Sequence, residues 1–85
     1  MSDFVQDLAD GLARDVLEGG IALDDPYFFE KVAKVVGASS PTLQEAFMTS
    51  IRIRMAEKRG REFLERALAA KRAGTAPPEA PREAE

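Results

Sequence analysis

Apolar side chains recur at three- and four-residue intervals along most of this chain, which is the period of an α-helix. The longest such segment follows Ser40-Pro41, where a serine can cap the first turn and a proline can fill the first helical position. Its apolar positions on both sides of Gly60 are Leu43, Ala46, Phe47, Ile51, Phe63, Leu64, Ala67 and Leu68. The spacing predicts a helix over 41–72, and we expect the rest of the chain to pack on it.

Two features of this segment leave its form open. Residues 49–55 alternate apolar and polar side chains, which is the period of a β-strand. Strong helix formers flank the alternation, and the chain offers no evident partner strand, so we favour a helix. Gly60 could break or kink the helix, giving four helices in place of three. Helix-favouring charged residues on both sides of Gly60 favour continuity.

The N-terminal segment predicts a first helix over 3–18. Ser2 can cap it, with Asp3 at the positive end of the helix dipole. Gly19-Gly20 can end it, because glycine adopts the left-handed cap conformation without steric cost. Gly11 lies inside the pattern, where a small residue could let another helix approach closely or could simply be tolerated at a small cost in helix stability. The apolar positions of this helix are Phe4, Val5, Leu8, Leu12, Val16 and Leu17.

A second, shorter helix is predicted over 26–36. Asp25-Pro26 repeats the signal of a cap followed by proline, and Gly37 can end the helix. Residues 21–23, which connect it to the first helix, are all apolar. We therefore expect this connection to pack against the core.

Three of the six aromatic residues, Tyr27, Phe28 and Phe29, are consecutive in the second helix. Stacked aromatic rings can bind nucleic-acid bases. Acidic residues lie just upstream and the first basic residue downstream is Lys31, so packing in the core is the better interpretation. We expect Phe28 and Phe47 to be buried in one core.

The residues from Gly74 onwards differ in composition from the rest of the chain. They include three prolines and no large apolar side chain, so they cannot bury enough surface to offset the entropy of ordering. The sequence therefore predicts a single all-α domain over 1–73, with three helices or four, followed by a flexible tail over 74–85. The last helix of this domain is long and basic.

Composition argues against several kinds of chemistry. The chain has no cysteine, so it has no thiolate nucleophile. It also has no histidine, which is the side chain that titrates near neutral pH and the commonest metal ligand. Asp3, Asp7 and Asp10 share a helix face, but a solvated acidic face is a better interpretation than a metal site. We expect no enzymatic activity, no cofactor and no metal. Without a secretory signal or an apolar run long enough to span a bilayer, we expect a cytoplasmic protein of bacterial type that does not bind membranes.

The charges are strongly segregated along the chain. Residues 1–30 contain eight acidic residues and one basic residue, whereas residues 51–72 contain eight basic and three acidic residues. One interpretation places the acidic first helix near the basic last helix, within one chain or across a dimer. The other interpretation is a basic surface for nucleic acid.

We therefore predict a small non-enzymatic helical protein that binds another protein, including a second copy of itself as a homodimer. The alternative is a nucleic-acid-associated regulator that uses the basic segment 52–72. The residues expected to form the interaction surface are Arg52, Lys58, Arg59, Arg61, Phe63, Leu64, Arg66 and Leu68.

Overall fold

The computed structural model describes residues 3–81, and every regular element among them is an α-helix. Helix α1 spans Phe4–Ala22, α2 spans Phe28–Ser39 and α3 spans Pro41–Ala73. The predicted all-α class and the number of three helices are confirmed for this part of the chain. By its contacts the chain divides into two compact units, one ending at Arg54 and the other beginning at Met55. The single domain over 1–73 stays a prediction.

Helix α1 begins and ends later than the sequence suggests. Its N-cap is Asp3, whose Oδ1 accepts hydrogen bonds from the backbone N–H of Val5 at 3.0 Å and of Gln6 at 3.3 Å. The predicted cap, Ser2, lies outside the described residues. The predicted end at Gly19-Gly20 is wrong, because α1 continues to Ala22. The backbone of the turn after α1 passes close to Gly20. A Cβ on Gly20 would lie 2.9 Å from the carbonyl oxygen of Asp25.

The connection between α1 and α2 does not pack as predicted. Ile21 is 79% exposed and Leu23 is 60% exposed, so the expectation that 21–23 pack against the core is wrong for both. Helix α1 continues through Ile21 and leaves this side chain facing solvent. Asp25 Oδ1 accepts the N–H of Tyr27 at 3.1 Å, so the Asp25-Pro26 signal marks a turn, and α2 begins two residues after the proline.

Helix α2 passes through its predicted end at Gly37 and finishes at Ser39. Gly37 has a packing role in place of a capping role. Gln44 of α3 reaches across it and donates from Nε2 to the carbonyl oxygen of Ala33 at 2.9 Å. A Cβ on Gly37 would lie within 3 Å of the amide end of Gln44. A glycine in a helix can thus mark the position where a neighbouring side chain crosses it.

The predicted start of α3 is confirmed. Ser40 Oγ accepts the N–H of Leu43 at 3.1 Å, and Pro41 is the first helical residue. The helix is unbroken through 49–55 and through Gly60, so the strand and four-helix alternatives are both wrong. Its C-terminus has the form of a glycine cap: Gly74 has a φ of 71°, and the N–H of Thr75 donates to Ala70 O at 2.9 Å.

The unit that ends at Arg54 contains the buried core. Phe47 and Ile51 of α3 are its largest fully enclosed side chains. The buried apolar residues are Ala9, Ala13, Val16, Phe29, Ala33, Phe47 and Ile51. Most of the contributors from α1 and α2 are alanines, which leave room for one phenylalanine and one isoleucine. Phe28, predicted to be buried with Phe47, is only half-buried, because α2 presents Phe29 to the core instead.

The unit that begins at Met55 contains no buried side chain among its described residues, 55–81. Residues 55–73 are the C-terminal part of α3, and 76–81 have no regular structure. The flexibility predicted for the tail stays a prediction, and its last four residues lie outside the described part of the chain.

Candidate interaction surface

An exposed apolar stripe runs along the C-terminal part of α3. It consists of Gly60, Phe63, Leu64, Ala67 and Leu68, and we call it the C-terminal stripe. These positions follow the spacing i, i+3, i+4, i+7 and i+8 that places residues on one side of a helix. Leu64 is 53% exposed and Leu68 is 48% exposed, while Phe63 and Ala67 are half-buried. The large apolar side chains predicted for the interaction surface therefore share one helix side.

Basic residues accompany the C-terminal stripe. Lys58, Arg59, Arg61 and Arg66 are all exposed, and Arg52, in the other unit, is exposed as well. The guanidinium of Arg66 lies 5.9 Å from the centre of the Phe63 ring, within the range of a cation–π interaction. This contact holds a cation beside the apolar surface.

One of the predicted cations is engaged along its own helix. Arg61 Nε donates to Glu57 Oε2 at 2.8 Å, one turn away. Both side chains are more than half exposed, so water screens the pair and it contributes little to stability. The assignment of all eight predicted residues to an interaction surface stays a prediction.

A second exposed surface, partly apolar and partly acidic, lies on α1. It consists of Phe4, Leu8, Gly11, Asp15 and Glu18, and we call it the outer face of α1. Phe4 is 74% exposed and Leu8 is 47% exposed. Both residues belong to the predicted apolar positions of the first helix, and both are exposed. The buried residues of α1 are the small residues Ala9, Ala13 and Gly20, together with Val16 of the predicted apolar positions.

A polar network joins α1 to α3 inside the first unit. Arg54 donates from Nη2 to the carbonyl oxygen of Asp10 at 3.2 Å and from Nε to Ser50 Oγ at 3.3 Å. The Asp10 carboxylate accepts a hydrogen bond from Gln6 Nε2 at 2.9 Å. This bond, followed by one with Ser50, lowers the pKa of Asp10 below its ordinary value. These contacts connect two helices.

Asp25 is the other carboxylate with a perturbed pKa. Lys31 Nζ donates to Asp25 Oδ2 at 2.9 Å, and this is the main reason why the pKa of Asp25 lies below its ordinary value. The N–H of Tyr27 contributes in the same direction. The pair closes the turn before α2, so it stabilises local structure.

A wide-open depression of about 400 Å³ lies between α1 and α3, with Asp3, Gln6, Thr42, Glu45 and Thr49 in its lining. Asp3 is already engaged as the N-cap of α1. Over residues 3–81, no three possible ligands come together in a way that could hold a metal ion.

None of the three helices, as far as residues 3–81 describe them, is long and apolar enough to cross a bilayer. Comparison of the chain with protein-family models, with curated proteins and with solved structures found no match.

Proposed function

We propose that this protein works without catalysis, by binding another protein through the C-terminal stripe, and that a second copy of itself is among its partners. The observation that carries the proposal is that helical residues 55–73 have a periodic apolar side but no buried side chain. The stability of protein helices comes mainly from packing an apolar side against another element. A partner helix on the stripe would supply that packing.

Composition supports the non-catalytic part of the proposal. The chain has no histidine and no cysteine, and the two carboxylates with lowered pKa values are engaged in local hydrogen bonds. An interaction module needs an exposed apolar surface with polar surroundings, and contiguous exposed apolar patches on soluble domains often mark such sites. The C-terminal stripe has both properties.

The competing proposal, a nucleic-acid-associated regulator, is favoured by the exposure of Arg52, Lys58, Arg59 and Arg61. Three acidic residues interleave with the cations of 51–72, and one of them, Glu57, is bonded to Arg61. A phosphate backbone would meet these carboxylates as well as the cations. For this reason we rank protein binding first.

The test compares solution masses by light scattering across a concentration series. We expect the wild-type chain to rise above its monomer mass of 9.3 kDa. The double variant Leu64→Gln/Leu68→Gln should associate at least about tenfold more weakly, which is about 1.4 kcal/mol of lost apolar contact. Val35→Gln is the matched control, because Val35 is a comparably exposed apolar side chain on α2, outside the stripe.

A wild-type chain that stays monomeric at every concentration would contradict self-association. Binding of mixed-sequence DNA or RNA with micromolar affinity at about 0.15 M salt, with a steep loss as salt rises, would promote the nucleic-acid alternative. In that case Arg59→Glu/Arg61→Glu should abolish nucleic-acid binding while Leu64→Gln/Leu68→Gln leaves it unchanged.

A further inference from the structure

The C-terminal stripe and the outer face of α1 are complementary surfaces, and we propose that each binds the other between two copies of this chain. The inference rests on the proposed function and names the surface that the stripe recognises. Three properties carry it: opposite charge, exposed apolar side chains on both surfaces, and open space beside a glycine on each.

Charge selects α1 over a second C-terminal stripe as the occupant. Residues 51–72 contain eight basic residues and three acidic ones, so two copies of this segment side by side would repel each other. Residues 1–30 contain eight acidic residues and one basic one. Complementary fields steer association and disfavour wrong partners, so they favour the pairing of stripe with α1.

The charged residues next to each surface make the same case locally. Arg59 and Arg66 are seven residues apart, so they form one row along α3, and Arg66 contacts the Phe63 ring of the stripe. The outer face of α1 carries Asp15 and Glu18, both exposed. The single basic residue of α1, Arg14, donates to Asp15 at 3.1 Å and is largely exposed to water, which weakens its effect.

The apolar parts of the two surfaces also match. Each carries two large exposed side chains next to a glycine: Phe4 and Leu8 near Gly11, and Leu64 and Leu68 near Gly60. A Cβ on either glycine would meet no atom within 4 Å, so both positions leave room for a neighbouring helix. At 1.5 Å per residue, the apolar part of the outer face, residues 4–11, extends about 10 Å and the stripe about 12 Å, so the two are similar in length.

The test exchanges charges between two variants of the full chain. The first variant, Asp15→Lys/Glu18→Lys, makes the outer face of α1 basic. The second, Arg59→Glu/Arg66→Glu, makes the surroundings of the stripe acidic. All four side chains are exposed, and circular dichroism checks that each variant keeps its helices. The single reversals Glu18→Lys and Arg59→Glu repeat the test with half the change.

At about 0.05 M salt we expect each variant alone to associate at least tenfold more weakly than the wild type. We expect an equimolar mixture of the two to recover wild-type association within about threefold, because each reversed surface then meets a complementary one. Recovery only on mixing identifies contact between α1 of one copy and the stripe of another.

Other outcomes overturn the inference in distinct ways. Undiminished association of the first variant would show that the stripe binds a different surface, including a second stripe, while leaving self-association intact. Loss of association in both variants with no recovery on mixing would exclude a direct contact between these two surfaces. A wild-type chain that is monomeric at every concentration would remove the proposed function together with the inference.

Discussion

Phe47 and Ile51 are fully enclosed, and small side chains on α1 and α2 make the room for them. A large buried side chain contributes both transfer free energy and packing contacts, and its truncation leaves a cavity. In a chain of 85 residues, one such position is a large share of the total stability. The core of this protein therefore depends on few residues.

Truncation of two phenylalanines should show this dependence. We expect Phe47→Ala to lower the free energy of unfolding by about 3 to 5 kcal/mol, because the ring is completely buried. Phe28→Ala should cost distinctly less, since Phe28 is half-buried. Urea unfolding of both variants measures the difference, and equal losses would mean that Phe28 shares the core fully with Phe47.

Two carboxylates should make the stability depend on pH in the acid range. The pKa values of Asp10 and Asp25 are lowered in the folded protein, so the folded state binds their protons less readily than the unfolded chain. Their contribution to the free energy of unfolding is fully present above about pH 4, the ordinary pKa of aspartate. It is lost as the pH falls through the lowered pKa values.

We expect thermal stability to drop below about pH 4, and Lys31→Ala to reduce the part of the drop that comes from Asp25. Lys31 is well exposed, so this substitution should change little else. A pH profile identical to that of the wild type would show that the bond between Lys31 and Asp25 has no energetic role in solution.

At the scale of helices, starts followed the predicted chemistry more closely than ends. Ser40-Pro41 marks the first turn of α3 correctly, because the cap hydrogen bond and the proline geometry are both local. Gly19-Gly20 and Gly37 were interpreted as helix ends, although both lie inside helices. The roles of Gly20 and Gly37 are set by Asp25 and Gln44, which come close only in the folded chain.

The local pattern of apolar residues also could not predict which side of a helix is buried. The spacing of Phe4 and Leu8 is helical, as predicted, yet α1 turns Ala9 and Ala13 to the core and leaves the larger pair exposed. The exposed leucines of the C-terminal stripe, Leu64 and Leu68, belong to the predicted interaction surface. They could be predicted because a long unbroken helix has more apolar positions than one core can bury.

The neighbouring glycines of α1 give a matched test of these packing roles. Gly19→Ala should stabilise the protein by up to about 1 kcal/mol, because a Cβ there meets no atom within 4 Å and alanine favours a helix. Gly20→Ala should destabilise it, because its Cβ would push against the backbone of Asp25. Thermal unfolding of both variants measures the difference. If both substitutions stabilised the protein equally, the close approach of Asp25 to Gly20 would be contradicted.

At the scale of the whole molecule, the segregation of charge and the exposure of apolar side chains support the same account. Acidic residues predominate in 1–30 and basic residues in 51–72, and each segment carries large apolar side chains that remain exposed. Isolated exposed apolar residues are ordinary, but two periodic sets on helices of opposite charge suggest surfaces that associate. If the proposed function is right, a partner covers residues 55–73 when the protein functions.

Amide hydrogen exchange over a range of protein concentrations measures whether residues 55–73 are covered. In dilute solution we expect the amides of 55–73 to exchange much faster than those around Phe47, because no buried side chain opposes local opening. On concentrating the protein, exchange over 55–73 should slow markedly, and Leu64→Gln/Leu68→Gln should remove the effect. Exchange rates over 55–73 that stay the same at every concentration would contradict the account.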